Sequence, residues 1–158
     1  MDHSLKTGLS FGVTSGVITT LGLLVGLHSG THSRAVIMGG ILTIAVADAL
    51  SDALGIHVSE EAENKHGKRE IWISTISTFL SKFIFAITFL LPVIFLPLPV
   101  AVPVSIAWGI ALLTVFSYML AKNQGERPLP VIGEHIFIAL IVILITHFLG
   151  DWISRHFA

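Results

Sequence analysis

Cysteine is absent from this sequence. That excludes disulfides, thiolate zinc sites and thiol catalysis, and it leaves the redox compartment unread. Charge is scarce as well. Only 12% of the residues are Asp, Glu, Lys or Arg, against about 25% in an ordinary soluble domain. So little charge does not cover a water-facing surface. A soluble enzyme, a basic nucleic-acid module and a disordered tail are therefore excluded. The formal net charge of -1 brings no global polybasic or polyacidic pull. What the chain has in quantity is apolar surface, with 53% hydrophobic residues over 158 positions. That composition predicts a small polytopic membrane protein.

A helix needs about 20 apolar residues to cross a hydrocarbon core of about 30 Å. Five stretches qualify: Gly8 to Leu27, Ala35 to Val58, Ile71 to Leu96, Val100 to Ala121 and Val131 to Leu149. With their short loops they use nearly all of residues 1–158, which read as a single transmembrane domain of all-α class. The first stretch is too long for the apolar part of a signal peptide and no A-x-A site follows it, so it is expected to be a retained helix. The most polar loop is Ser59 to Glu70, SEEAENKHGKRE. Pro97, Pro99 and Pro103 suggest a tight extended hairpin between the third and fourth helices. Lys122 to Pro130 carries a stop and restart signal in Asn123, Gly125, Pro128 and Pro130.

Lys and Arg counts predict the orientation. One side holds Lys6, Lys65, Lys68, Arg69, Lys122 and Arg127, and the other holds Arg34 and Arg155. The first side is expected in the cytoplasm together with the N-terminus, and the C-terminus outside. A prokaryotic cytoplasmic membrane is the default location.

The first helix carries Gly8, Gly12 and Gly16 at intervals of four, and Gly22 and Gly26 repeat the spacing. Small residues so spaced let helix backbones approach closely in lipid. They predict simple close packing, or else a dimer interface or a pathway-lining helix. Thr14, Ser15, Thr19 and Thr20 lie among them, with hydroxyls that can bond back to the chain or across to a partner helix. On the third helix, Ser74, Ser77 and Ser81 form one polar stripe, and Thr75, Thr78 and Lys82 another.

Among the ionisable residues at membrane depth three stand out: Asp48, Asp52 and Lys82. Such groups cost about 2.5–3.5 kcal/mol each on insertion scales, so they call for a reason. Asp48 and Asp52 are four apart and project from one helical face. Two close carboxylates repel, which favours a proton on one of them unless a cation is present. A site that exchanges a proton for a divalent cation needs that property, and Mn²⁺, Mg²⁺ and Fe²⁺ all accept oxygen ligands. The alternative is a structural ion pair with Lys82, and both readings can hold together. Further along, His57, Glu60, Glu61, Glu63 and His66 crowd the helix end. They read either as an acidic entry that concentrates cations or as a solvated helix terminus. His28 with His32, and His147 with Asp151, are two more pairs at intervals of four, read chiefly as interfacial polar groups.

Several motifs resemble the vacuolar iron transporter family. They are GLSFGVTSGVITTLGLLVGLHSG (Gly8 to Gly30), ALSDALGIHVSEEAE (Ala49 to Glu63), FLLPVIFLP in the third helix and SYMLAKNQGERPLPVIGE before the fifth. The resemblance implies five helices, a homodimer, and export of Fe²⁺, often Mn²⁺, from the cytosol in exchange for protons. It also implies a path between the subunits lined by the first two helices. The metal is then a substrate, no cofactor is bound permanently, and the protein is not an enzyme. The candidate metal residues are Asp48, Asp52, His57, Glu60 and Glu63, with Asp48, Asp52 and Lys82 as proton-coupling or charge partners. The sequence departs from the family at several places. The usual first-helix Asp-Gly reads Phe11-Gly12. A pathway Met falls at Asp52 and a Gly at Asp48, and another acidic position falls near Ile44. The long Glu-rich cytoplasmic insertion shrinks to Ser59 to Glu70. A non-transporting protein of the same fold, with a structural or partner-binding role, is the alternative. An intramembrane enzyme would need a second acidic motif, which the sequence lacks.

Overall fold

The computed structural model describes residues 3–157, and its elements are all helical. They are α1 (His3–Thr31), α2 (Arg34–Glu63), α3 (Lys68–Thr88), α4 (Leu90–Phe95), α5 (Leu98–Gln124) and α6 (Pro128–Phe157). α3 and α4 together make one span, so five helical units are long and apolar enough to cross a membrane. The protein is an all-α bundle of membrane-spanning type.

The breaks follow from local chemistry. The α3–α4 break falls just before Pro92, whose ring and missing N–H disrupt the turn that reaches back to Thr88. α2 runs through Glu63, five residues beyond the expected end at Val58, and stops where Asn64 takes a left-handed conformation at φ 53°. The polar loop therefore shrinks to four residues, 64–67. Glu70 accepts the Gly67 N–H at 2.8 Å and starts α3. The expected proline hairpin is replaced by helix. Pro97 is the N-cap of α5, Pro99 sits in its first turn and Pro103 lies inside it. Proline fits a first turn because those N–H groups have no intrahelical partner anyway. Gly125, at φ 74°, ends α5. At the opposite end of the bundle, Arg34 donates to the carbonyls of Ile94 and Leu96 at 3.3 and 2.8 Å, which satisfies the end of α4.

α1 is the central helix, and its glycines explain why. A Cβ on Gly8 would strike Ser77 Oγ and the Ser74 carbonyl, and one on Gly12 would strike Ser81 Oγ. At Gly16 an added Cβ would lie 3.1 Å from the Lys82 backbone. These three glycines therefore seat the first half of α1 directly on α3. At Gly22 the added atom would stand 2.7 Å from Val142, and at Gly26 it would stand 3.3 Å from the Thr146 carbonyl. The second half of α1 is thus seated on α6. All five make close approaches inside this chain. Gly spacing announces a close approach, but the partner helix can belong to either chain.

The apolar core lies around Val17, Leu21 and Leu24 of α1, with Ile37 and Ile41 of α2, Phe89 and Val93 of the third span, and Leu113 of α5. Apart from Glu60 near its end, α2 buries one line of every fourth residue, Ile37, Ile41, Ala45, Ala49 and Ala53. Its other side is open. Every fourth residue from Ala35 to Ser59 is exposed and small, reading Ala, Gly, Thr, Ala, Ser, Gly, Ser.

Gly12→Leu is expected to destabilise the bundle by about 1–3 kcal/mol through overpacking against α3. Gly133→Ala, whose added Cβ meets nothing within 4 Å, is expected to be neutral or stabilising by up to about 1 kcal/mol. Thermal unfolding of both variants in detergent, followed by circular dichroism, checks the contrast.

Candidate functional site

The three membrane-depth charges meet at one point. Lys82 Nζ lies 2.6 Å from Asp48 Oδ2 and 2.5 Å from Asp52 Oδ2. It also donates to Ser15 Oγ at 2.9 Å. Ser15 in turn donates to Asp52 Oδ2 at 2.6 Å. An ammonium has three N–H donors, and here three oxygens surround it. Lys82 and Asp48 each stand fourteen residues into their helices, about 21 Å from the helix starts at 1.5 Å per residue. The cluster therefore sits near the middle of the apolar spans.

Each partner is delivered by small residues beside it. Gly16 lets α1 touch the Lys82 backbone, which brings its neighbour Ser15 within reach of the ammonium. Ala45, Ala49 and Ala53 bury the inner line of α2. Asp48 and Asp52, one position off that line, then reach Lys82 on α3. The burial is unequal. The Lys82 side chain is 2% exposed, the Asp52 side chain 21% and that of Asp48 33%. The carboxylates thus lie on the border between the packed interior and the open small-residue stripe of α2. Oδ1 of each aspartate has no protein partner among the described residues.

Lys82 is nearly sealed from solvent, so the pairing with the aspartates is what makes its charge tolerable. Two ionised carboxylates and one ammonium sum to one negative charge. A single net charge in the membrane interior is unfavourable; one added positive charge would neutralise the cluster with Lys82 in place, and a divalent cation would neutralise the two carboxylates once Lys82 withdrew.

The other predicted metal residues sit elsewhere. His57 Nδ1 pairs with Thr75 Oγ1 at 2.9 Å and its ring meets the edge of Trp72. Glu60 is buried, 7% exposed, and accepts from Ser74 Oγ at 2.5 Å. It is therefore an internal group and not part of a solvated mouth. Glu63 is exposed beside Lys65 at 3.8 Å. Asp52 and Glu60 are eight residues apart, about 12 Å of rise, and each carboxylate is engaged at its own level of α3. Among the described residues no three His, Asp or Glu side chains are arranged to hold a metal ion. Within one chain the aspartates supply two carboxylate ligands and no more.

At the end of the bundle where α1 meets α2, the structure joins two motifs that the sequence kept apart. Ser29 Oγ and His147 Nδ1 lie 2.5 Å apart, and the His28 and His32 rings are 5.1 Å apart. Asp151 is held by Arg155 at 2.8 Å. Phe11 is 42% exposed and stands one helical turn from Ser15. Ser15 is one of the first-helix hydroxyls expected to bond back to the chain or across to another helix, and here it bonds across, to Lys82 and Asp52. The α2 stripe escaped the sequence reading, although its period of four is visible from Ala35 to Ser59. No family model and no curated protein matches this chain.

Lys82→Met leaves two carboxylates facing each other without their cation. It is expected to destabilise the protein by about 3 kcal/mol, at the low end for a broken buried pair because the aspartates keep some exposure. The triple variant Lys82→Met/Asp48→Asn/Asp52→Asn removes all three charges and should recover most of that loss. Unfolding midpoints in detergent distinguish the two variants.

Proposed function

We propose that the protein is a divalent-cation transporter that moves Fe²⁺ or Mn²⁺ out of the cytosol in exchange for protons. The observation that carries this reading is the Asp48–Asp52 pair. It shares one ammonium near the middle of the apolar spans and keeps one unpartnered oxygen on each carboxylate. Hard and borderline divalent cations take such oxygens. In the resting state Lys82 is a tethered counter-cation. An arriving metal binds the free oxygens and weakens the hold of the pair on Lys82. When the metal leaves, the lost positive charge is restored by Lys82 together with a proton on one carboxylate. That alternation couples metal movement to proton movement.

Two carboxylates are too few for a complete coordination shell, so Ser15, water and a second copy of the chain supply the rest. The open small-residue stripe of α2 runs beside Asp48 and Asp52 and suits close contact between helices in lipid. We therefore propose a homodimer that meets along α2, with the aspartates near the junction. The imbalance of six Lys and Arg against two favours an N-terminus in the cytoplasm. His57 and Glu60 then lie between the aspartates and the cytoplasmic end, as the polar groups a cation meets on entry, with Glu63 at the surface. The direction of transport and the choice of ions follow the resemblance to vacuolar iron transporters.

One observation favours a second reading, a non-transporting protein of the same fold. Lys82 already finds three oxygens, so the cluster is also a complete structural clasp.

Uptake of Mn²⁺ and Fe²⁺ into proteoliposomes carrying an internal pH reporter separates the two. The transporter reading expects metal flux with opposing proton movement, and loss of both in Asp48→Asn/Asp52→Asn. Normal flux in that variant would overturn the assigned site. No flux in either protein, with the purified assembly intact, would favour the structural reading.

A further inference from the structure

The molecule has a second feature unrelated to the charged cluster. A groove of about 740 Å³ opens between the first half of α1 and the last turns of α5. Its cause lies in the packing of α1. Gly8, Gly12 and Gly16 draw the first half of that helix onto α3. α5 meets α1 closely at another level, where a Cβ on Gly109 would lie 2.5 Å from Leu21. From that contact the two helices part toward the Lys6 end, and nothing among the described residues fills the wedge.

The lining is graded along the membrane normal. Lys6, Asn123 and Gln124 stand at the helix ends, and Phe11, Phe116 and Met119 lie deeper. Lys6 is exposed and is the ammonium of the lining, His3 lines the same end, and the two amides add N–H donors. A cation with polar donors above an apolar furrow complements one kind of molecule found at that depth, an anionic headgroup attached to an acyl chain. The volume is in the range of small-ligand sites, enough for a single chain and part of its headgroup.

We propose that this groove is a binding site for an anionic phospholipid. Lys6 meets the phosphate, Asn123 and Gln124 hydrogen-bond the headgroup, and one acyl chain lies along Phe11, Phe116 and Met119. The bound lipid acts as the missing spacer between α1 and α5.

Brominated-lipid quenching of a single tryptophan tests this. Trp72, Trp108 and Trp152 are replaced by Phe, Met119→Trp is added, and the protein is placed in vesicles of brominated phosphatidylglycerol or brominated phosphatidylcholine. The expected result is preferential quenching by the anionic lipid. The preference should correspond to an affinity ratio of about fivefold, as for one lysine beside an anionic headgroup, and Lys6→Ala should abolish it. Equal quenching by the two lipids with Lys6 present would overturn the proposal. So would a preference that survives Lys6→Ala. Emission that neither lipid quenches would place protein, a second copy of the chain, in the groove and would also overturn it. If the tryptophan replacements unfold the protein, native mass spectrometry of the unmodified chain from mixed vesicles gives the same decision. Retained lipid should be enriched in phosphatidylglycerol, and Lys6→Ala should remove the enrichment.

Discussion

One ammonium holds the middle of this protein together. Lys82 is sealed among α1, α2 and α3 and touches an oxygen on Ser15, Asp48 and Asp52. In a low-dielectric interior a lone ammonium is untenable, so each of these contacts is needed. The contacts also fix geometry. Lys82 can meet Ser15 only if α1 lies against the α3 backbone, and it can meet both aspartates only if α2 presents one face. The charge cluster and the helix packing are thus two aspects of one constraint.

Glycine and alanine supply the room for that arrangement. Gly16 removes the side chain that would stand between α1 and Lys82. The alanine line of α2 lets its carboxylate face come close to α3. Yet the seating of α1 has consequences on its other sides. Its second half is held by α6 through Gly22 and Gly26, and α5 is left to touch it at Gly109 and Leu21. The wedge near Lys6 is the space that remains. The free outer side of α2 remains too, and it carries the small residues that the proposed dimer uses.

Much of this fold was legible beforehand, and the physical reason is the bilayer. Five apolar runs of spanning length have few alternatives to five helices. Helix ends were less legible, because polar residues such as Ser59 to Glu63 extend a helix as readily as they form a loop. Pro99 and Pro103 misled in the other direction, since proline near a helix start does not prevent helix. Asp48, Asp52 and Lys82 announced themselves, because ionisable groups are rare at membrane depth. Ser15 stands among four hydroxyls of the first helix, and only its tertiary contacts single it out. Glu60 was read as part of a solvated mouth. Its burial depends on Ser74 of another helix, a tertiary fact that no local pattern carries. The partners of the first-helix glycines were illegible for the same reason.

The proposed role of Lys82 as a tethered counter-cation is tested most directly by Mn²⁺ affinity. Titration of the purified protein with Mn²⁺, followed by loss of the free-ion electron paramagnetic resonance signal, gives the dissociation constant. Lys82→Met should bind Mn²⁺ more tightly than the unmodified protein, because the competitor for the aspartate oxygens is gone. Adding Asp48→Asn and Asp52→Asn should remove that binding. If Lys82→Met, folded and monodisperse, binds Mn²⁺ no better than the unmodified chain, Lys82 is a structural clasp and the proposed competition is wrong.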